Sequence, residues 1–238
     1  MSKKRLIAAG VAVIAALALS ASAFAVVGGS PDAAHPYAGA AGIQTSQGTE
    51  ICSGVLVDAT TFVTAAHCLQ GDFQVGAILV STDIQFTGPK SFGAAYYVDP
   101  DYTVGDKGLS SSDRNDVAVI KLAVPLPGPY AQLPTANYTD TLKNNQAVDV
   151  VGYGLPMPGV RQSAPAKIIP GGGKVAPWFL KITAGTMCNG DSGGPIVQSG
   201  TSIVLAINSY GAAANCAAVG YAQRLDTPDV LSFIASHR

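Results

Sequence analysis

Short runs of β-branched and apolar residues recur along the chain, and each run is bounded by Gly, Pro, Asn or Asp. Such runs, separated by turn-forming residues, predict the strands of an antiparallel sandwich or barrel. The predicted strands are Gly54 to Val57, Thr61 to Ala65, Ala77 to Val80, Val117 to Leu122, Ala147 to Tyr153, Pro195 to Gln198 and Ile203 to Ser209. The 27 Gly and 15 Pro leave little room for long helices, so an all-β chain is expected.

A helical periodicity is convincing only at the end of the chain. Thr227 can cap a helix there, and Pro228 suits its first position. Val230, Phe233 and Ile234 would then fall on one face. This pattern predicts one short C-terminal helix.

Two stretches interrupt the strand pattern. The segment Pro125-Leu126-Pro127-Gly128-Pro129 predicts an extended connection and places a domain boundary near residue 130. The stretch from Gly154 to Gly173 is rich in Pro and Gly and is interpreted as a surface loop.

The first 25 residues have the pattern of a secretory signal peptide. A basic head at residues 3–5 precedes an uncharged apolar run at residues 6–19, and small residues end in Ala23-Phe24-Ala25. The run is shorter than the about 18 to 20 apolar residues of a membrane-spanning helix, which disfavours an uncleaved anchor. We therefore expect an exported, extracellular chain beginning at Val26, without a membrane segment after cleavage.

Charge and cysteine content exclude several function classes. The net charge is -1 and only 12% of residues are charged, with no block of like charge, so neither nucleic acid nor a membrane surface is expected as a partner. Four cysteines in an exported chain can pair in three ways. The spacing contains no CxxC and there are only three histidines, which disfavours a structural zinc site. No metal or organic cofactor is expected. We expect a monomer.

A candidate catalytic base emerges from the three histidines. Serine chemistry requires a base within hydrogen-bond reach and a third group that holds the base in the correct tautomer. His237 is the penultimate residue, and His35 precedes a proline near the expected N-terminus. His67, in Thr64-Ala65-Ala66-His67-Cys68, follows a predicted strand and is tethered by the adjacent cysteine, so it is the best base by elimination.

A candidate nucleophile lies in the string Gly190-Asp191-Ser192-Gly193-Gly194-Pro195. Its three glycines allow main-chain amides to approach a reacting group closely. A lone Gly-Asp-Ser triplet would be read as a turn with a solvated serine. The complete string, two residues after Cys188, is much more specific.

Together these motifs resemble the chymotrypsin-like serine proteases, and the resemblance covers nearly the whole chain after residue 25. Beside the histidine box and the nucleophile loop, the matching strings are Val26-Val27-Gly28-Gly29, Asn115-Asp116-Val117-Ala118-Val119 and Ser209-Tyr210-Gly211, in the family's order. The resemblance implies two six-stranded antiparallel β-barrels with the active site between them. Residues 26–130 would form the first barrel, with His67 and Asp116, and residues 131–238 the second, with Ser192 and the substrate pocket.

The resemblance also implies residue roles in the hydrolysis of protein or peptide substrates. Ser192 attacks the scissile carbonyl, His67 takes and returns the proton, and Asp116 stabilises the imidazolium. Asp116 is preferred to Asp113 because an apolar run follows it. The amides of Gly190 and Ser192 would form the oxyanion hole.

Further assignments carried over from the family concern disulfides, activation and specificity. The implied disulfides are Cys52–Cys68 and Cys188–Cys216, the implied activation pair joins the freed amine of Val26 to Asp191, and the implied substrate-binding residues are Thr186, Met187, Ser209, Tyr210, Gly211 and Gly220. Thr186 takes the place of the pocket-floor residue, where a neutral side chain offers a buried cation no partner. We therefore expect cleavage after uncharged, medium to large apolar residues such as Leu, Met, Phe or Tyr.

Two alternatives stay open. The GxSxG pattern and the order Ser192, Asp226, His237 also fit a serine esterase. That nucleophile would need a helix after it, and Gly193-Gly194-Pro195 followed by Ile196-Val197 reads instead as a strand. The second alternative is a catalytically inactive homologue that acts as a binding module, although all three triad positions are filled.

Overall fold

The computed structural model describes residues 26, 28–71, 73–103, 114–155, 158–170, 177–212 and 215–238. The predicted signal peptide, Val27 and Asp113 lie outside these residues. The strands are β1 Ser30–Pro31, β2 Ala38–Thr45, β3 Gly48–Asp58, β4 Thr61–Thr64, β5 Ile78–Ser81, β6 Ser91–Val98, β7 Ala118–Leu122, β8 Ala147–Gly152, β9 Gln162–Lys167, β10 Phe179–Ile182, β11 Pro195–Gln198, β12 Val204–Gly211 and β13 Gly220–Arg224. One α-helix, α1, spans Pro228–Ser236. Among the described residues, no helix is long and apolar enough to cross a membrane.

The first barrel is closed, with the strand order β2-β3-β4-β7-β6-β5. Its interior contains large apolar side chains from several strands, including Ile43, Phe62 and Ile120. The Phe62 ring fills the space beside Gly54, because a Cβ built there would lie 2.3 Å from the ring. The glycine in β3 therefore gives room for a core aromatic ring.

The second sheet has the order β1-β9-β8-β11-β12-β13-β10. An isolated antiparallel bridge between Ile168 and Ile182 connects the end of β9 to the end of β10. The six strands β8 to β13 thus form a ring, and β1 is added outside it on β9. The expected all-β fold of two six-stranded antiparallel barrels and a C-terminal helix is confirmed.

The stretch from Gly154 to Gly173 is not a loop throughout, and that interpretation was wrong for β9. The strand Gln-Ser-Ala-Pro-Ala-Lys alternates buried and more exposed positions, with Gln162, Ala164 and Ala166 inward. Alanine is too small, and glutamine too polar, for these positions to register as an apolar alternation in the sequence.

The contact between the barrels forms a core of its own. Val57 and Val119 of the first barrel share an apolar cluster with Ile207 of the second and with Val230 and Ile234 of α1. Burying side chains of this size contributes roughly 1.5–3 kcal/mol each. This shared core fixes the relative position of the loops that carry the candidate site.

Candidate active site

His67 and Asp116 are brought together by the pairing of β4 with β7, in which Thr64 lies opposite Ala118. His67 lies on a short 3-10 helix immediately after β4, and Asp116 lies two residues before β7. The His67 Nδ1 is 2.8 Å from the Asp116 Oδ2. The backbone N–H of His67 also donates to the Asp116 Oδ1, at 2.9 Å.

The Asp116 carboxylate is fully buried. Its Oδ2 accepts a further hydrogen bond from the Ser209 hydroxyl of β12, at 2.5 Å. Burial alone would raise the pKa of Asp116, but the His67 ring and the hydrogen bonds from His67 and Ser209 outweigh burial and hold the pKa below its ordinary value. The carboxylate is therefore ionised near neutral pH and fixes the orientation of the imidazole.

Ser192 lies in the loop between β10 and β11, close to the histidine box. Its carbonyl accepts from the backbone N–H of Ser53, at 2.8 Å, and lies 3.9 Å from the Cys68 Sγ. Gly193 has φ +78° and packs tightly, because a Cβ there would lie 2.2 Å from the Thr64 Oγ1. Glycine is required at this position by both the backbone angle and the space.

The backbone amides of the loop divide into two groups. Within residues 190–194, the amides of Asp191, Gly193 and Gly194 donate to the carbonyls of Cys188, Asn208 and Asp191, at 3.1, 2.7 and 2.9 Å. The amides of Gly190 and Ser192 meet no acceptor in the part of the chain that the structure describes. These are the two amides predicted for the oxyanion hole, and the loop leaves both available to an external oxygen.

Asp191 is fully buried behind the nucleophile. Its carboxylate accepts from the amides of Gly154 and Cys188, at 3.0 and 2.9 Å. Burial raises the pKa of Asp191 to about 8, and these hydrogen bonds oppose the rise only in part. No ion pair reaches this carboxylate among the described residues. Val26 is also fully buried, in the apolar cluster of the second barrel that contains Met187.

A cavity of about 250 Å³ opens beside Ser192. Its lining comprises Met187, Cys188, Asn189, Asp191, Ser192, Asn208, Ser209, Tyr210, Gly211 and Cys216. Four of the six predicted substrate-binding residues are therefore in the wall. Gly220 lies behind Met187, since a Cβ at Gly220 would be 1.9 Å from the Met187 sulfur.

Thr186 is buried but does not line this cavity. Its hydroxyl donates to the Thr183 carbonyl, at 2.9 Å. The disulfide Cys188–Cys216 joins two parts of the cavity wall, and Cys52–Cys68 ties β3 to the histidine helix. Both bridges are the ones that the family resemblance implies.

Asn208 is a cavity residue that the sequence did not reveal. It is fully buried on β12, and its Nδ2 donates to the Asp191 carbonyl, at 3.2 Å. Because a carbonyl can only accept, this contact assigns the amide nitrogen and leaves the Oδ1 on the other side. That Oδ1 has no hydrogen-bond partner among the described residues. No motif marked Asn208, which follows the apolar run of a predicted strand.

The residues of the esterase alternative do not assemble. Asp226 is held by Arg224, at 2.9 and 3.0 Å, and by Thr139. The His237 Nδ1 lies 2.9 Å from the Phe233 carbonyl, and its ring contacts the Tyr97 ring. Asp226 therefore forms a buried ion pair with Arg224 and does not take a catalytic role.

His35 is likewise engaged away from the candidate site. Its Nδ1 lies 3.0 Å from the Asp32 Oδ1, and its Nε2 lies 3.7 Å from the Asp149 Oδ2. The structure thus places His67, alone of the three histidines, against Asp116.

A fold of two barrels with these motifs at their junction defines a chymotrypsin-like protease. A family model described as Trypsin matches residues 26–230, and the chain therefore belongs to the trypsin family of serine proteases. Brachyurin from Leptuca pugilator is 29% identical over an alignment of 186 residues that covers 71% of this chain and 79% of that protein.

Solved structures show the same fold. HL collagenase aligns with a TM-score of 0.71 at 20% identity, over 88% of this chain and 96% of that one. The scabies mite inactivated protease paralogue SMIPP-S-I1 aligns with a TM-score of 0.68 at 20% identity, over 85% of this chain and 93% of that one. Such structures include a collagenase and an inactivated paralogue, so the fold by itself does not establish activity.

Proposed function

We propose that this chain is an exported serine endopeptidase that hydrolyses peptide bonds through an acyl-enzyme on Ser192. The observation that carries the proposal is the contact between His67 and the buried Asp116 at 2.8 Å. An ionised carboxylate facing Nδ1 holds the proton on that nitrogen. The other ring nitrogen can then take the proton of Ser192 as general base and return it to the leaving amine.

The nucleophile loop supports the second part of the mechanism. Attack on a carbonyl develops negative charge on its oxygen, and fixed donors aimed at that charge typically contribute about a hundredfold to a thousandfold in rate each. The amides of Gly190 and Ser192, which have no acceptor among the described residues, are the donors that we assign to this role.

Export would also complete the site. Cleavage after Ala25 would free the amine of Val26, a residue buried in the same barrel as Asp191. An ammonium beside this carboxylate would supply the counter-charge that it lacks among the described residues. We propose that this pair orders the pocket in the processed enzyme.

The cavity favours an uncharged substrate side chain. Among the described residues of its lining, Asp191 is the one acidic residue, and both of its carboxylate oxygens already accept backbone amides. A buried Lys or Arg side chain would therefore lack a counter-charge. We retain the preference for medium to large apolar residues before the cleaved bond, in protein or peptide substrates of a monomeric enzyme.

A fluorophosphonate probe and a peptide library test the proposal on the chain that begins at Val26. Parent protein should be labelled and should cleave peptides, whereas Ser192→Ala should stay folded and lose both properties. His67→Ala should be almost as damaging, and His237→Ala serves as the matched histidine control that should leave activity unchanged. Residual hydrolysis by Ser192→Ala above about a hundredth of the parent rate would refute the assignment. An unlabelled, inactive parent would instead indicate the inactive homologue.

A further inference from the structure

Ser53 is a fully buried serine on β3 of the first barrel, and its hydrogen bonds reach the second barrel. Its hydroxyl donates to the Gly190 carbonyl and accepts from the Tyr153 backbone N–H, both at 2.8 Å. Its own backbone N–H donates to the Ser192 carbonyl, also at 2.8 Å. One residue of the first barrel thus holds the carbonyls of both residues assigned to the oxyanion hole.

The end of β4 explains why Ser53 is available for these contacts. Val55 is paired with Val63, and β4 ends one residue later, at Thr64. One edge of β3 at Ser53 is therefore free of a neighbouring strand. The Ser53 carbonyl accepts the Thr64 hydroxyl, at 2.7 Å, and the Ser53 amide turns to the nucleophile loop.

The anchoring matters because Gly190 has no side chain to restrict its backbone. Its φ of +93° is a conformation that glycine adopts freely, along with many others. The peptide before Gly190 is held by the Asn189 carbonyl, which accepts from the Leu155 amide at 2.8 Å. The peptide after Gly190 is held at its carbonyl by the Ser53 hydroxyl, at 2.8 Å, and at its N–H by the Cys188 carbonyl, at 3.1 Å. Because both peptide planes are fixed, the Gly190 N–H bond is held in one orientation.

We propose that Ser53 is a positioning residue for the oxyanion hole, acting through the Gly190 carbonyl. This inference rests on the proposed function, because it assigns Ser53 a role in the same reaction. Without the hydroxyl, the Gly190 carbonyl and the Tyr153 amide both lose their buried partner. The peptide after Gly190 then keeps only the hydrogen bond from the Asp191 amide to the Cys188 carbonyl, so it can tilt and move the Gly190 N–H away from the direction needed by the oxyanion.

The expected signature lies in the chemical step. An oxyanion forms only in the transition state, so loss of its donor lowers kcat and leaves KM nearly unchanged. Direct removal of a donor costs about a hundredfold to a thousandfold, and misorientation of one donor should cost at least about tenfold. Affinity for a peptide aldehyde, which forms a tetrahedral adduct with the serine, should fall in parallel with kcat/KM.

The test compares Ser53→Ala with Ser53→Thr, which retains the hydroxyl, in the chain that begins at Val26. Ser81→Ala is the matched control, because Ser81 is also a fully buried serine of the first barrel. Its hydroxyl donates to the Pro89 carbonyl, at 2.7 Å, and accepts from the Asp83 amide, at 3.2 Å. Ser81→Ala should lower stability to a similar extent and leave kcat unchanged. Ser53→Gly replaces Ser53→Ala if the alanine variant does not fold.

We expect kcat to fall at least about tenfold in the folded hydroxyl-free variant, with KM within about twofold, and Ser53→Thr to recover most of the rate. Aldehyde affinity should fall by the same factor as kcat/KM. Equal kcat for parent and hydroxyl-free variant, or a loss of kcat that Ser81→Ala reproduces, overturns the inference. Fluorophosphonate labelling of the parent is measured first. A parent that is not labelled would contradict the proposed function, and this outcome is distinct from a failure of the inference about Ser53.

Discussion

Removal of the charge on Asp191 should have opposite effects on the stability of the folded chain before and after the amine of Val26 is freed. In the chain with residues preceding Val26, burial raises the pKa of Asp191 from 3.8 to about 8. The folded chain then binds a proton that the unfolded chain has released. The stability that Asp191 contributes is largest below the pKa of this carboxyl in the unfolded chain. It is lost as the pH rises through the pKa of the same carboxyl in the folded chain. Between 3.8 and neutral pH this loss amounts to roughly 4 kcal/mol.

Asp191→Asn abolishes this titration. The asparagine cannot accept from both the Gly154 and the Cys188 amide, which costs about 1–3 kcal/mol. In the unprocessed chain, the variant should therefore match or exceed the parent in stability at about pH 8, and its stability should no longer fall with pH. In the chain that begins at Val26, the variant strands a buried ammonium, which typically costs about 3–5 kcal/mol.

The measurement is urea unfolding of chains that begin at Phe24 and at Val26, each with and without Asp191→Asn. All four carry Ser192→Ala, which prevents self-digestion. Each is unfolded at about pH 5 and about pH 8, on either side of the main loss. An equal effect of Asp191→Asn in the two chains would refute the proposed pairing with Val26. Full activity of an otherwise native chain that begins at Phe24 would refute it independently.

Two further substitutions test buried polar groups. Asn208→Leu removes the buried, unpartnered Oδ1 together with the Nδ2 donor, while the Asp191 carbonyl keeps the Gly194 amide, so urea unfolding should record a change within about 1 kcal/mol; a loss above about 3 kcal/mol would show that this amide group is a stabilising contact. Arg161→Met removes a buried guanidinium that binds the carbonyls of Asp32, Ala38 and Thr82 and lies 3.2 Å from the Asp32 carboxylate. Urea unfolding should record a loss of about 3–5 kcal/mol, and a loss below about 1 kcal/mol would contradict a stabilising role for this cluster.

The sequence anticipated those features whose signal is local. All seven predicted strands are present, because β-branched residues cluster in them. The helix at Pro228–Ser236 follows from its cap, its proline and its apolar face. The contact of His67 with Asp116 and the two disulfides were anticipated through the family that the sequence motifs resemble.

Features that depend on distant partners could not be anticipated. The Ser53 hydroxyl bonds to a carbonyl 137 residues away, and no local pattern distinguishes it from a serine that faces solvent. Strands β2 and β9 are built largely from alanine, glycine and polar residues, whose weak strand preference is overruled by packing in a closed barrel. The position of Thr186 outside the cavity lining also depends on a hydrogen bond to Thr183 that the sequence does not encode locally.

The two ends of the described chain are exchanged between the barrels. Strand β1 precedes the first barrel but pairs with β9 of the second, at Ser30 and Pro31. Helix α1 follows the second barrel but packs in the shared core, and Arg238 donates to the Val57 carbonyl at 3.1 Å. Each barrel thus packs against the terminal segment that is joined in sequence to the other barrel. Division of the chain near residue 130 would give two fragments, each lacking the terminal segment that packs against its barrel. The two fragments should therefore fold by mutual complementation. The intact chain should fold as one cooperative unit.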